Sequence, residues 1–244
     1  MASFERSDDG RLEPSAALSR TFAKTGRRAW NTHLLWSLMP KCEGARYIYI
    51  VRNGDDAVVS FWHHLRNQRG DAGQFDGSLD DFSRRLVNSE LPYGPWAVHV
   101  ADWARALDDP RVLVLRYDKM RADLDGAVRE IAAHLDVPFS ADCVRHCSFD
   151  AMRASESRYE PRSVQWAPGF RFLRHGTSGD GDSALSDDAK RLLREDFHAR
   201  CDSLPAATKA RLLERLSLGD SLEPSDIEQP LLRPRADVVM REIA

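Results

Sequence analysis

The chain has 244 residues, enough for one sizeable α/β domain or two small ones. Hydrophobic residues make up 42% and charged residues 30%, proportions typical of globular proteins. The formal net charge of −3 argues against a protein-wide positive field, so an anionic ligand would need a local basic site. No apolar run approaches the ~18 residues that cross a bilayer. We therefore predict neither a nucleic-acid partner nor a transmembrane segment.

The four cysteines (Cys42, Cys143, Cys147 and Cys201) show no CxxC pairing and have no metal-ligand spacing with histidines. Reduced thiols are the simplest interpretation, and they favour a reducing compartment. The first fifteen residues are polar and acidic, unlike the apolar core of a signal peptide. These features predict a cytoplasmic protein without a bound metal.

The elements predicted in chain order alternate between strands and helices. Residues 1–19 are predicted to be a flexible leader, 20–216 the folded domain and 217–244 a C-terminal extension. Buried strands are predicted over 46–51 and 112–115, with a third candidate over 21–30. Helices are predicted over 55–65, 79–87, 93–107, 123–135, 142–153 and 186–200, and a long loop over 155–183. This alternation indicates an α/β fold with a parallel sheet flanked by helices.

The first candidate site is the strand, turn and helix around Arg52. Arg52 follows the strand directly, and its planar guanidinium fits a phosphate group. Ser60 lies eight residues further, slightly more than two helical turns, and adds a hydroxyl donor. Alternatively, Arg52 pairs with Asp55 or Asp56 and Ser60 merely packs. The spacing alone leaves both interpretations open.

The segment 47–65, YIYIVRNGDDAVVSFWHHL, resembles the 3′-phosphate-binding segment of cytosolic sulfotransferases. Five more segments are similar to sulfotransferase segments and occur in the same order. They are 31–40 (a Thr-His-Leu motif), 92–96 (Tyr-Gly-x-Trp), 112–120 (a core strand), 146–152 (His-x-Ser-Phe-x-x-Met) and 172–180 (a phosphate-closing loop). The likeness spans roughly residues 30–200.

The resemblance implies a P-loop-like sulfotransferase fold that binds 3′-phosphoadenosine 5′-phosphosulfate (PAPS). It also implies transfer of a sulfuryl group to a hydroxyl or amine of a small-molecule acceptor, with His33 as general base. Residues expected to bind PAPS are Arg52, Ser60, Tyr93, Cys147, Phe149, Met152, Arg174, His175 and Gly176. Trp36, Trp62 and Trp166 could line the acceptor pocket or could equally be core. The pattern says nothing about oligomeric state.

The sequence departs from the family in the machinery around the sulfate. No faithful copy of the family's first strand and Lys-containing phosphosulfate loop precedes His33, and Lys24 is only a hypothetical substitute for that lysine. Asn31 replaces a second lysine, and Gly181 replaces a tryptophan, which predicts a looser closure of the 172–180 loop. The alternative is a catalytically impaired sulfotransferase-like protein that binds a nucleotide or a partner, or the product of a truncated gene model.

Overall fold

The computed structural model describes residues 4–6, 12–14, 26–69, 75–160 and 164–216. Lys24 and the C-terminal extension 217–244 lie outside the described residues, as does most of the leader 1–19. Within the leader range, β1 (Phe4–Arg6) pairs antiparallel with β2 (Leu12–Pro14). The three predicted domain boundaries stay predictions.

The central sheet joins β3 (Tyr47–Val51) and β5 (Val112–Arg116) in parallel, with Tyr47 opposite Val112 and Val51 opposite Arg116. A short antiparallel ladder joins β4 (Gln68–Arg69) to β6 (Gln165–Trp166). Both predicted strands of the parallel sheet are confirmed. Among the described residues this sheet has no third strand, and the described part of the candidate 21–30 contains none.

Ten helices flank these strands in the described ranges. In chain order they are α1 (Gly54–Asn67), α2 (Leu79–Val87), α3 (Trp96–Ala104), α4 (Tyr117–Ala122), α5 (Leu124–His134), α6 (Ala141–Cys147), α7 (Phe149–Ala154), α8 (Asp180–Ala184), α9 (Asp187–Asp202) and α10 (Ala206–Leu216). Single 3₁₀ turns cover Trp36–Leu38 and Glu156–Arg158. The α/β architecture predicted from the alternating pattern is confirmed.

Side-chain caps explain where several helices begin. The Asn53 side chain accepts a hydrogen bond from the Asp56 backbone N–H at the start of α1, and Ser186 does the same for Ala189 in α9. Ser148 caps α7 through the Ala151 N–H, so the single helix predicted over 142–153 is wrong. The capping serine divides that stretch into α6 and α7. The predicted long loop 155–183 likewise contains β6 and most of α8.

The buried apolar residues form two clusters. One packs Val51 of β3 against α3, α9 and α10, around Phe197 and the fully buried Cys201. The other joins α1, α2 and the start of α9 around Val58 and Phe82. Together they fix α1 and the turn before it, which carries Arg52.

Across the described ranges, no helix combines the length and apolar character needed to cross a membrane, and the cytoplasmic location stays a prediction.

Candidate nucleotide and acceptor site

Arg52 follows the last residue of β3 and therefore stands at the carboxyl end of the parallel sheet, where open α/β folds bind ligands. Its Nη2 donates a hydrogen bond to the Thr177 carbonyl oxygen at 3.1 Å, and its guanidinium carbon lies 4.8 Å from the centre of the Tyr117 ring. The Nε atom is buried and has no hydrogen-bond partner within the described part of the chain. A buried donor without a partner costs about 1–3 kcal/mol, which favours a ligand that accepts a hydrogen bond here.

Tyr117 joins this site although sequence reasoning did not single it out. It follows β5 directly, and the parallel register places Arg116 opposite Val51. Residues after the two strands therefore meet at one edge of the sheet. This register was the available signal, but it can be used only once the two strands are known to be neighbours.

Asp56 holds the loop before α8 against the first turn of α1. Its carboxylate accepts hydrogen bonds from the Gly179 N–H at 2.9 and 3.1 Å and from the Gly181 N–H at 2.9 Å. The Asp56 side chain also lies 3.9 Å from Arg52 Nη2, so the predicted alternative of an Arg52–Asp56 contact is present as a long ion pair. Asp56 is only 3% exposed, so it acts as a structural anchor.

Gly181 brings this loop closer to α1 than a larger residue would allow. A Cβ atom at Gly181 would lie 2.5 Å from the Asp55 Cβ and 2.9 Å from the Asp56 backbone nitrogen. The looser closure of the 172–180 loop predicted from the missing tryptophan stays a prediction, although the backbone approaches α1 closely at Gly181. The backbone itself closes the loop, in a space that has no room for a side chain.

Arg174 lies in the same loop, and its guanidinium pairs with the Asp180 carboxylate. Two further arginines hold the loop by its carbonyl groups. Arg153 Nη1 donates to the Arg174 oxygen at 2.8 Å, and Arg121 Nε donates to the Gly176 oxygen at 2.9 Å. Sequence reasoning missed both, because only the fold brings α4 and α7 to this loop.

Phe149 packs directly beneath the loop. Its ring would lie 2.5 Å from a Cβ at Gly176, whose φ of +66° also favours glycine. The guanidinium carbons of Arg121 and Arg153 lie 5.1 and 5.7 Å from the Phe149 ring centre. The structure thus brings the predicted residues Phe149 and Gly176 together.

The remaining residues predicted on the adenine side lie around the break between α6 and α7. Met152 is half-buried on α7. Cys147 ends α6 and is exposed, with its Sγ 4.0 Å from that of Cys143. Although the residue is exposed, its thiol is partly shielded from water, and this shielding, followed by the proximity of Cys143, raises the pKa of Cys147, so the thiol stays protonated near neutral pH. Within the described residues Cys147 forms no hydrogen bond with Arg52 or with the 172–180 loop, and its role stays a prediction.

His63 adds a titratable group to the basic region and was not predicted. Burial is the largest cause that lowers the pKa of His63, and the positive charge of Arg174 lowers it further. The negative charge of Asp180 acts in the opposite direction, and His175 adds a smaller lowering. His63 therefore lies near the loop residues Arg174 and His175. It follows Ser60 by three residues on α1, so both lie on neighbouring positions of one helix face.

His33 lies in an exposed, extended segment before the first 3₁₀ turn. Its ring centre is 4.9 Å from that of Tyr93, which in turn lies 6.0 Å from the Phe61 ring. Tyr93 has φ of 68° and is 69% exposed. The structure places Tyr93 beside His33, and its predicted contact with the nucleotide stays a prediction.

Helix α3 fixes the segment that carries His33. Trp103 Nε1 donates to the Leu34 carbonyl at 3.1 Å, and the Ser37 N–H donates to Asp102 Oδ2 at 2.8 Å. Asp102 and Trp103 are adjacent on α3, so the segment is held at two points by one rigid helix. Trp36 packs against Trp103 at 5.2 Å between ring centres, which favours the core interpretation of Trp36.

His99, also on α3, contacts Tyr49 of the central sheet. Tyr49 Oη lies 3.2 Å from His99 Nδ1. Burial raises the pKa of Tyr49, so its hydroxyl stays protonated, and the tautomer of His99 decides which of the two groups donates this hydrogen bond. Burial lowers the pKa of His99, while hydrogen bonding to the His33 backbone opposes that effect. A neutral His99 therefore connects β3 to the backbone of His33.

The sulfotransferase domain model matches residues 12–208 of this chain. The chain belongs to the sulfotransferase family. Sulfotransferase 2B1 of Mus musculus is 30% identical over 187 residues, which cover 70% of this chain and 54% of that protein. Luciferin sulfotransferase of Photinus pyralis is 29% identical over 181 residues, which cover 67% of this chain and 47% of that protein. The chain thus spans about half the length of these curated relatives.

Solved structures show the same fold. Mouse sulfotransferase SULT7A1 complexed with PAP superimposes with a TM-score of 0.62 at 24% identity, covering 78% of this chain and 70% of that one. Retinol dehydratase in complex with androsterone and inactive cofactor PAP gives a TM-score of 0.62 at 22% identity, covering 78% and 58%. The parallel sheet flanked by helices is therefore a sulfotransferase fold. In the described ranges, no group of three or more His, Cys, Asp or Glu side chains is arranged to hold a metal ion.

Proposed function

We propose that this protein is a PAPS-dependent sulfotransferase that transfers a sulfuryl group to a hydroxyl or amine of a small-molecule acceptor. The observation that carries the proposal is the Nε of Arg52 at the carboxyl end of β3, which is buried and has no partner among the described residues. Arg174 and His175 interact electrostatically with His63, which lies on the helix that follows Arg52, and a group of basic side chains of this kind suits an anion. Membership of the sulfotransferase family supports the choice of anion.

The 3′-phosphate end of the nucleotide fits the residues present. Arg52, Ser60 and the loop of Arg174, His175 and Gly176 would hold the phosphate, with Phe149, Met152 and Cys147 on the adenine side. Arg174 is already paired with Asp180, so a phosphate must share or displace that carboxylate. When bound, PAPS supplies an activated sulfuryl group on a good leaving group.

His33 would act as the general base. The unprotonated nitrogen of a neutral imidazole accepts a proton, so neutral His33 can take the proton of an acceptor hydroxyl as its oxygen becomes a nucleophile. The anchors on α3 hold the backbone directly after His33, at Leu34 and Ser37, and the ring of Tyr93 lies 4.9 Å from that of His33. The exposed position leaves His33 accessible to an incoming acceptor.

A second candidate is a nucleotide-binding protein with impaired turnover. Asn31 is exposed where the family resemblance implies a lysine, and no lysine-bearing phosphate loop precedes β3 in the described residues. Stabilisation of charge at the leaving group often contributes more to catalysis than any other effect, and each ~1.4 kcal/mol of it is tenfold in rate. This candidate predicts nucleotide binding without sulfuryl transfer.

Calorimetric titration with adenosine 3′,5′-bisphosphate tests the nucleotide site. We expect the wild-type chain to bind and Arg52→Ala to lose at least about tenfold in affinity, in line with loss of a charge-assisted hydrogen bond. Arg111→Ala is the matched control, because Arg111 precedes β5 at the opposite end of the sheet and pairs with Asp109. Equal binding by Arg52→Ala and the wild type would contradict the proposed site.

Sulfuryl transfer from labelled PAPS to 2-naphthol then separates the two candidates. Transfer that disappears in His33→Ala, with bisphosphate binding unchanged, supports the enzyme. Bisphosphate binding without transfer to any of a panel of phenols, alcohols and amines supports the impaired protein.

A further inference from the structure

A cluster of four aromatic rings lies at the end of α1 and has no part in the site described so far. His64 on α1 contacts Trp166, Phe172 and Phe170, with ring centres 4.7, 5.5 and 6.4 Å away. Trp166 stacks on Phe170 at 4.8 Å. We call these four rings the aromatic wall. Two features hold it against the end of α1: the β4–β6 ladder, and a hydrogen bond from the Ala167 N–H to the Asn67 oxygen at 2.8 Å.

The cluster is connected to His33 through α1. The ring of His33 lies 4.9 Å from that of Tyr93, the ring of Tyr93 lies 6.0 Å from that of Phe61, and Phe61 precedes His64 by three residues on the same helix. Burial lowers the pKa of His64, and the proximity of His33 adds a smaller lowering. An acceptor whose hydroxyl reaches His33 would extend along the aromatic wall.

Two polar groups in this aromatic cluster lack hydrogen-bond partners among the described residues. Trp166 Nε1 is buried, and nothing in the described ranges accepts a hydrogen bond from it. His64 makes ring contacts, but no described protein atom forms a hydrogen bond with either of its ring nitrogens. The neighbouring Trp62 differs, since its Nε1 donates to the Gly77 oxygen at 3.2 Å. Buried indole N–H groups usually find a partner, so the one on Trp166 requires an explanation.

We propose that Trp166 and His64 determine acceptor specificity by binding a hydrogen-bond-accepting oxygen that the acceptor carries away from its reacting hydroxyl. The favoured acceptor is thus an aromatic alcohol with a distal carbonyl or similar oxygen, and a purely hydrocarbon phenol is disfavoured. Trp166 Nε1 donates to that oxygen, neutral His64 offers a second donor, and Phe170 and Phe172 pack on the apolar body. This inference rests on the proposed function for the identity of the reacting group.

Discrimination of this kind follows from the cost of an unpaired buried donor. A site built to hydrogen-bond a ligand rejects the analogue without the bonding atom, because its own polar groups then stay unpaired. We expect a preference of about tenfold in Kd, which corresponds to ~1.4 kcal/mol.

The test compares two ligands of nearly the same shape, 6-acetyl-2-naphthol and 6-isopropyl-2-naphthol. Their Kd values are measured by calorimetry with the full chain, with and without saturating adenosine 3′,5′-bisphosphate. We expect the wild type to bind the acetyl compound about tenfold more tightly. Trp166→Phe keeps an aromatic ring but removes the N–H, so it should reduce the ratio to near one, and His64→Phe should reduce it partly.

Trp62→Phe is the matched control, because it removes an indole N–H that already has a protein partner. We expect it to keep the wild-type ratio. The ratio also cancels any general loss of affinity or stability in a variant. Equal binding of the two naphthols by the wild type, a preference that persists in Trp166→Phe, or no binding of either compound would overturn the inference.

The outcome separates this inference from the proposed function. Bisphosphate binding with no naphthol preference leaves the nucleotide site intact and removes the role of Trp166 and His64. Naphthol preference without bisphosphate binding keeps the aromatic site and contradicts the nucleotide site.

Discussion

Replacing Asp56 with alanine should destabilise the protein strongly, although Asp56 lies in an ordinary helix first turn. Its buried carboxylate accepts hydrogen bonds from the backbone N–H groups of Gly179 and Gly181. Hydrogen bonds to charged groups contribute about 1.5–3 kcal/mol each, and the Gly179 bond is discounted because Gly179 is exposed. We therefore expect Asp56→Ala to lower the free energy of unfolding by about 2–4 kcal/mol.

Asp81 supplies a matched control for this measurement. Asp56 and Asp81 are both the third residue of their helices, so each interacts with the helix dipole in the same way. Asp81, however, has a side chain 39% exposed and only a 3.6 Å contact with Arg84. Asp81→Ala should cost about 0.5–1 kcal/mol.

Urea unfolding followed by far-UV circular dichroism gives both free energies, and bisphosphate titration adds a functional measurement. Asp56→Ala should also weaken bisphosphate binding, because the loop that carries Arg174 loses its anchor. Equal destabilisation by the two alanine variants would refute the reasoning, since it would reduce the role of Asp56 to its position in the helix. Unchanged bisphosphate affinity in a folded Asp56→Ala protein would show that the anchor does not position the loop.

Two further predictions concern packing and protonation. Gly181→Ala should lower the free energy of unfolding by about 1–3 kcal/mol, because its Cβ would lie 2.5 Å from that of Asp55; an unchanged urea midpoint would contradict the tight closure. Three partly buried histidines have pKa values below the usual 6.5, so the unfolded chain binds more protons than the folded one. Stability should be complete above about pH 6.5 and decline as the pH falls towards 5. The three residues are His63, His64 and His99. Replacing all three with glutamine should reduce the decline of the urea midpoint between about pH 6.5 and 5. An equally steep decline in the triple variant would contradict this prediction.

The sequence by itself determined the local elements and the family. The β-branched and aromatic run before Arg52 is apolar on both faces, so it predicted β3, and the acidic pair after it predicted the start of α1. The resemblance of six short segments to sulfotransferase segments, in the same order, then indicated the family, and the family match confirms it. The apolar run and the acidic pair act within a few residues of the element that they predict, so no knowledge of distant contacts is needed to interpret them.

The tertiary structure decided which of these segments meet. The family resemblance assigned Tyr93 to the nucleotide, and only the structure shows that Tyr93 also lies against His33. Tyr117, Arg121 and Arg153 reach the site only because β5 lies beside β3 and α4 and α7 follow it. The role of Gly181 changed from a missing side chain to a close backbone contact. Contacts between residues 50 to 125 positions apart depend on how helices pack on the sheet, which the one-dimensional pattern does not encode.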